Sequence, residues 1–297
     1  MSDLVLGTLL GLISSALFAL QNVLIRGQRQ GVSPLIANSI KMWVSGLLMM
    51  ALVVLPWRVH EFLLPQSALF PLAASVLFGG AFGDALYLVS QERIGVSRAF
   101  PILNTYPIIT YMLALFFLDE VLDIGTITGI VLSICGVVLV SREISVEVVE
   151  DKAPLFDWMG LALAILSSIM FAFATVFMEL GVADIDPIDA NMFRMLIGSM
   201  IMVPIFSVSV RNRTRLLSRR AVKVVAIAGF FGMGLSSLLY LASIRLVGAT
   251  IGAVLGSTAP LFALPFSILH LKERITWKGI LGTIATIIGI WLVVIGV

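Results

Sequence analysis

Three charged side chains stand inside apolar runs of this sequence, and any chemistry has to begin with them. Asp84 sits within LFGGAFGDALYLVSQ (Leu77–Gln91), the only carboxylate well inside such a run. A charged carboxylate in hydrocarbon costs roughly 2.5–3.5 kcal/mol on insertion scales, so it must be protonated, paired or wetted. Gly80, Asp84, Tyr87 and Gln91 follow i, i+4, i+7, i+11 and share one helix face. Two readings stay open: a cavity wall bearing a protonatable or cation-pairing acid, or a structural ion pair with Lys41. Lys41 and Arg194 each stand seven residues after a proline, Pro34 and Pro187. Seven residues is about 10 Å of helix. Each shares its face with an asparagine, Asn38 and Asn191. A cation there binds a substrate carboxylate or braces the fold, its head free to snorkel towards the interface.

Neutral polar groups widen the candidate set. Gln21 and Asn22 close the first apolar run, Thr175 occupies a comparable place later, and Ser237 stands where the second half of the chain matches Asp84. Tyr87 and Tyr240 suit a cavity wall or the membrane interface. Glu179, at a helix end, is expected to be solvated. Pro107 and Pro260 free the carbonyls four residues back, at Leu103 and Gly256, and bend their helices. Asn104 and Ser257 are placed to re-satisfy that backbone or to face a cavity. With Pro101 and Pro265 nearby, these two runs are the expected kinked or moving elements. Gly129 with Gly136, and Gly282 with Gly289, set glycines two turns apart on one face, the mark of a close packing seam.

Enzyme and metal chemistry find little support. Ala81-Phe82-Gly83-Asp84 lacks the first glycine of the GxGD motif of intramembrane aspartyl proteases, and no second membrane aspartate accompanies it. No HExxH, aspartate-rich prenyl-diphosphate or GxxxxGK[ST] motif is present. The acidic loop Asp184–Asp189 has no further ligands, and no metal or cofactor is expected. The single Cys135 excludes an intramolecular disulfide.

The elements that must position these residues follow from composition. Hydrophobic residues make up 60% and charged residues 12% of the 297, against about 25% charge in soluble chains. Mean hydropathy is +1.10. The chain is read as all-α and integral to a membrane. Apolar runs of span length number ten: roughly 4–25, 34–56, 68–90, 97–118, 124–142, 158–180, 187–210, 222–243, 249–270 and 277–296. The first lacks a preceding basic region and reads as a retained helix rather than a signal peptide.

Landmarks recur at one offset. Pro107/Pro260, Glu120/Glu273, Gly136/Gly289, Ser14/Ser167, Asn38/Asn191 and Tyr87/Tyr240 are all separated by 153 residues. The chain divides into a first repeat (1–145), a linker (146–156) and a second repeat (157–297). Five spans per repeat invert the second half relative to the first, an architecture that places substrate between repeats near mid-bilayer. Of the loop lysines and arginines, fifteen lie on one face and two, Arg58 and Arg245, on the face of the termini. That excess places the Arg211–Lys223 loop in the cytoplasm and the termini outside. A formal charge of +2 points to no nucleic acid partner.

Pro107…Glu120…Gly129…Gly136 and Pro260…Glu273…Gly282…Gly289, preceded by ALYLVSQERIG and LLYLASIRLVG, resemble the EamA family of the drug/metabolite transporter superfamily over essentially the whole chain. The resemblance implies transport of small metabolites, often export of amino acids or related compounds, from a cavity between the halves, with no prosthetic group. It implies cytoplasmic termini, against the charge tally. It also implies a last helix of the kind that small dimeric exporters use between subunits, so a monomer or a homodimer is expected. The combined expectation is a secondary transporter exporting a small polar or amphipathic metabolite by alternating access, coupled to protons or to a substrate gradient. The alternatives are a non-transporting receptor or scaffold, or an intramembrane enzyme.

Overall fold

Lipid offers backbone N–H and C=O groups no partner, so a chain this apolar has to satisfy them within helices. Every regular element among the described residues is helical. The computed structural model describes residues 2–26, 32–54, 64–146, 157–211, 218–262 and 277–296. Most of the linker, the second charged turn with Glu273, Pro265 and the middle of the Arg211–Lys223 loop lie outside them.

Span one is α1 (Asp3–Arg26) and span two is α2 (Pro34–Val53), which begins on its proline, where no helical donor is lost. Span three joins α3 (Gln66–Ser75) and α4 (Asp84–Ile94) through a π-helical stretch, Val76–Gly83. Span four is broken into α5 (Val96–Leu103) and α6 (Tyr106–Phe117), and span five is α7 (Ile124–Val146). The second half opens with α8 (Trp158–Val182), capped by the Asp157 carboxylate, which accepts the N–H groups of Met159 and Gly160. It continues through α9 (Pro187–Arg211), α10 (Arg219–Ala228), a second π-helical stretch Gly229–Ser236, and α11 (Ser237–Gly256). It closes with α12 (Trp277–Gly296). Inside α11 the chain turns at Gly248, with φ of 81°, so this helix ends span eight and opens span nine. Gly95, with φ of 79°, makes the same turn between spans three and four. Both need the left-handed freedom of glycine.

Specific contacts relate the halves. Ser14 Oγ donates to the Ser236 carbonyl at 2.8 Å, and Ser167 Oγ donates to that of Gly83 at 2.8 Å. Ser243 Oγ donates to Gly7 O at 2.7 Å, and Ser90 Oγ to Gly160 O at 2.9 Å. Adding 153 to one partner and subtracting it from the other interchanges the members of each pair. Such reciprocity is the signature of a two-fold rotation. With five spans per half, the axis lies in the membrane plane. The described residues thus form an all-α fold of two inverted repeats, in which the ten apolar runs of the sequence are the membrane spans.

Spans five and ten pack on each other through their glycines. A β-carbon at Gly129 would stand 2.7 Å from the Gly289 carbonyl oxygen, and one at Gly282 the same distance from that of Gly136. The packing seam expected of these glycines thus forms between spans five and ten of one chain. Their glycine face is filled within the chain, because α7 and α12 approach too closely to admit any side chain there. Outward-facing Leu47, Phe70, Met112, Met200 and Ile287 are exposed, as suits helices whose solvent is lipid.

Candidate functional site

The two π-helical stretches face each other across the pseudo-two-fold axis, and glycines set their distance to the neighbouring helices. A β-carbon at Gly79 would meet Ala174 of α8 at 2.9 Å, and one at Gly232 would press harder still on Gln21 of α1. Spans one and three with their counterparts six and eight therefore draw close without filling the centre. A cavity of about 110 Å³ remains, room for several waters or one small solute. Phe18, Phe171, Tyr106 and Tyr240 supply its aromatic surface, and Ser14, Ser15, Gln21, Asn104, Thr175, Ser236 and Ser237 its neutral polar groups. Tyr240 Oη is 3.3 Å from Thr175 Oγ1 and 3.4 Å from Tyr106 Oη, a chain of hydroxyls along one wall.

Charge enters the wall at two places. Asp84, 2% exposed, lines the cavity and is ion-paired with fully buried Lys41 of α2. Both sequence readings of Asp84 meet here, since it is a wall residue and the partner of Lys41. Asn38, one turn before Lys41, donates through Nδ2 to the carbonyls of Gly80 (2.9 Å) and Ala81 (3.2 Å). These are carbonyls of the π-helical stretch, which ties that irregular turn to α2. Such turns recur at functional positions.

Arg194 lies at the matching place in the second half and also lines the cavity, 2% exposed. Its Nε donates to Ser75 Oγ (2.8 Å), and its Nη1 to Asn191 Oδ1 (2.9 Å) and Ser237 Oγ (3.2 Å). All three acceptors are neutral. Among the described residues no carboxylate pairs with it.

Not every candidate reaches the cavity. Tyr87 is fully buried against Phe100, with ring centroids 6.1 Å apart, and is no part of the wall. Asn22 turns away, one residue and 100° from Gln21, and donates to Phe18 O at 3.0 Å. Ser257 donates to Val254 O at 2.8 Å, while Asn104 bonds Phe100 O at 2.7 Å and still borders the cavity. Neither takes the carbonyl freed by the nearby proline. The Gly256 carbonyl released by Pro260 accepts instead from Ser15 Oγ of α1 at 3.2 Å. Pro107 opens α6 after a break at Asn104 and Thr105. Gln21, a sequence candidate, reaches the wall, and Ser14, Ser15 and Tyr106 stand there without having been candidates. Tyr106 carried a signal, for it directly precedes Pro107 and so falls at the break.

Glu179 corrects a second expectation. It is not solvated at a helix end: its carboxylate accepts the N–H of Ala249, the first residue after the Gly248 turn. Unpaired amides at that restart attract a carboxylate. Thr250 Oγ1 donates to Glu120 at 2.8 Å, so the conserved-offset turn of span four meets the same restart. Burial raises the Glu120 carboxyl above its ordinary pKa, opposed by that Thr250 hydroxyl. In the same turn Asp123 is held below the ordinary range by the backbone N–H and hydroxyl of Thr126. Asp157 is lowered by the Gly160 N–H and, further, by Arg93, whose Nε lies 3.0 Å away. No group of His, Cys, Asp and Glu among the described residues has the arrangement of a metal site.

A model of the EamA-like transporter family matches residues 5–142 and again 158–295. An uncharacterized transporter of Archaeoglobus fulgidus is 22% identical over 267 residues, 89% of each chain. A WAT1-related chloroplastic protein of Arabidopsis thaliana is 25% identical over 273 residues, covering 88% of this chain and 62% of its own. One solved crystal structure superposes with a TM-score of 0.75 at 12% identity, over 97% of this chain and 96% of that one. At that identity it speaks for the fold alone.

Proposed function

The chain belongs to the EamA-like transporter family, a multi-pass membrane transporter family, and on that premise we propose a secondary transporter that exports a small polar or amphipathic metabolite by alternating access. The observation that carries this reading is the cavity, whose wall is contributed by both repeats and interrupted by broken helices. In inverted-repeat transporters substrate sites form in this place. The moving units are the two repeats, residues 1–145 and 157–297. They pivot about the breaks at Asn104–Thr105 and Ser257–Thr258, where the backbone hydrogen bonds tighten from the i−4 to the i−3 pattern. The wall is largely apolar, with hydroxyls and the charged Asp84 and Arg194 set into it, so the solute is small and amphipathic. Asp84, Asn104, Thr175, Ser237 and Tyr240 contact it in this reading, and a proton or the solute's own gradient drives it.

Uptake of labelled metabolites into proteoliposomes, with and without an imposed pH gradient, tests the proposal. Saturable flux of at least one small polar solute is expected. Purified, folded protein that moves none of a panel spanning cations, neutrals and anions would defeat it. Orientation is tested separately with Arg213→Cys in a Cys135→Ser background. The loop-charge excess anticipates protection from an impermeant thiol reagent outside intact cells, and rapid external labelling would place the termini in the cytoplasm.

A further inference from the structure

A guanidinium has five N–H donors, and the structure accounts for three of those on Arg194. One lies on Nε and two on Nη1, bonded to Ser75, Asn191 and Ser237. Nη2 has no acceptor among the described residues, and the charge has no counter-ion there. Leaving a buried cation without an opposite charge is strongly unfavourable, yet Arg194 borders an open cavity rather than sealed core. A negative charge is wanted at that point of the wall.

The duplication shows where it would sit. At the equivalent place in the first repeat, Lys41 has its own carboxylate, Asp84. The residue matching Asp84 at offset 153 is Ser237, a shorter and neutral side chain that touches Arg194 and leaves room beyond its hydroxyl.

We propose that Arg194 and Ser237 form an anion subsite in which a small organic carboxylate of the transported solute takes the place that Asp84 holds on Lys41. This rests on the transporter reading and narrows its substrate class. The two N–H groups left on Nη2 diverge, so a carboxylate oxygen takes one of them in a single charge-assisted hydrogen bond. A cavity of about 110 Å³ limits the solute to a few carbons.

The decisive variant is Ser237→Asp, which gives Arg194 an internal counter-ion of the kind already present in the first repeat and so protects folding. Wild type and variant are purified in detergent, and thermal unfolding is followed with lactate, alanine and serine, with lactamide and alaninamide, and with inorganic phosphate. The expected result is a saturable rise in wild-type Tm with a carboxylate. Its half-saturation should be about a hundredfold below that of the matching amide, because a buried donor left unpaired rejects the analogue strongly. The rise should vanish in Ser237→Asp. Amides as effective as acids, a response to phosphate alone, carboxylate binding undiminished in Ser237→Asp, or no response to any carboxylate would each overturn the inference. Parallel flux measurements separate the two readings: solutes carried without regard to charge leave the transporter proposal standing and remove the anion subsite.

Discussion

Asn38, Lys41 and Asp84 in one repeat correspond residue for residue to Asn191, Arg194 and Ser237 in the other, and the two triads have opposite electrostatic fates. The first is closed, its cation neutralised by a carboxylate and its asparagine bonded to the backbone of the π-helical stretch. The second is open. Its asparagine carbonyl is spent on the cation itself and on Ser237, and among the described residues no acid pairs with it. Symmetric backbone with asymmetric charge teaches that duplication preserved the scaffold while the two ends of the cavity diverged.

The largest effect expected from breaking this comparison comes from the closed triad. Asp84→Asn strands a fully buried ammonium and should cost about 3–5 kcal/mol of stability, the usual penalty for halving a buried pair. Asp84→Asn with Lys41→Gln should recover most of that loss in detergent thermal unfolding. Equal stability of the single and double variants would show that the pair is not a structural unit. Scaffold symmetry is tested next. Gly129→Val and Gly282→Val insert side chains against equivalent backbone and should each destabilise by about 1–3 kcal/mol or more. Their costs should agree within about 0.5 kcal/mol, and a large disparity would mean that the seam is two-fold in sequence only.

A smaller loss is expected in the open triad. Ser237→Ala removes one neutral acceptor of three and should cost about 1 kcal/mol, several-fold less than Asp84→Asn at the matching position. A cost equal to that of Asp84→Asn would erase the distinction between closed and open ends. The smallest effect concerns Glu120, whose carboxyl is raised from 4.5 by burial. Because the folded state favours the protonated form, wild-type stability should fall as pH climbs from about 4.5 through the raised value. Glu120→Gln, which can still accept from Thr250, should escape this. Its Tm advantage over wild type should grow from pH 4 to pH 7, and an advantage unchanged with pH would leave burial without a role.

Much of the architecture was legible because lipid makes the sequence restrictive. Run length and a constant offset lead to ten spans, two repeats and the inversion, and the positive-φ glycines Gly95 and Gly248 fall 153 residues apart as that offset requires. The site was legible in part. Asp84, Arg194, Thr175, Ser237 and Tyr240 stand on the cavity wall, each betrayed by polarity inside an apolar run. Serines were harder, since Ser14 and Ser15 have the polarity and size of many serines that only back-bond their own helix. Glu179 was misjudged because its neighbour is 70 residues away: a carboxylate at a helix end is ordinarily wet, and the helix restart that captures it belongs to span nine.

The sequence by itself determined class, span number, pseudo-symmetry and the short roster of intramembrane charges, since each follows from local polarity and a fixed register along the chain. Tertiary structure alone decided which charges are satisfied. Whether a carboxylate faces a lysine, or an arginine faces empty cavity, depends on approaches of a few ångströms between helices distant in sequence. At those distances the low dielectric of the interior turns a one-residue difference, Asp84 against Ser237, into the difference between a neutralised cation and one that borders the cavity without a carboxylate among the described residues.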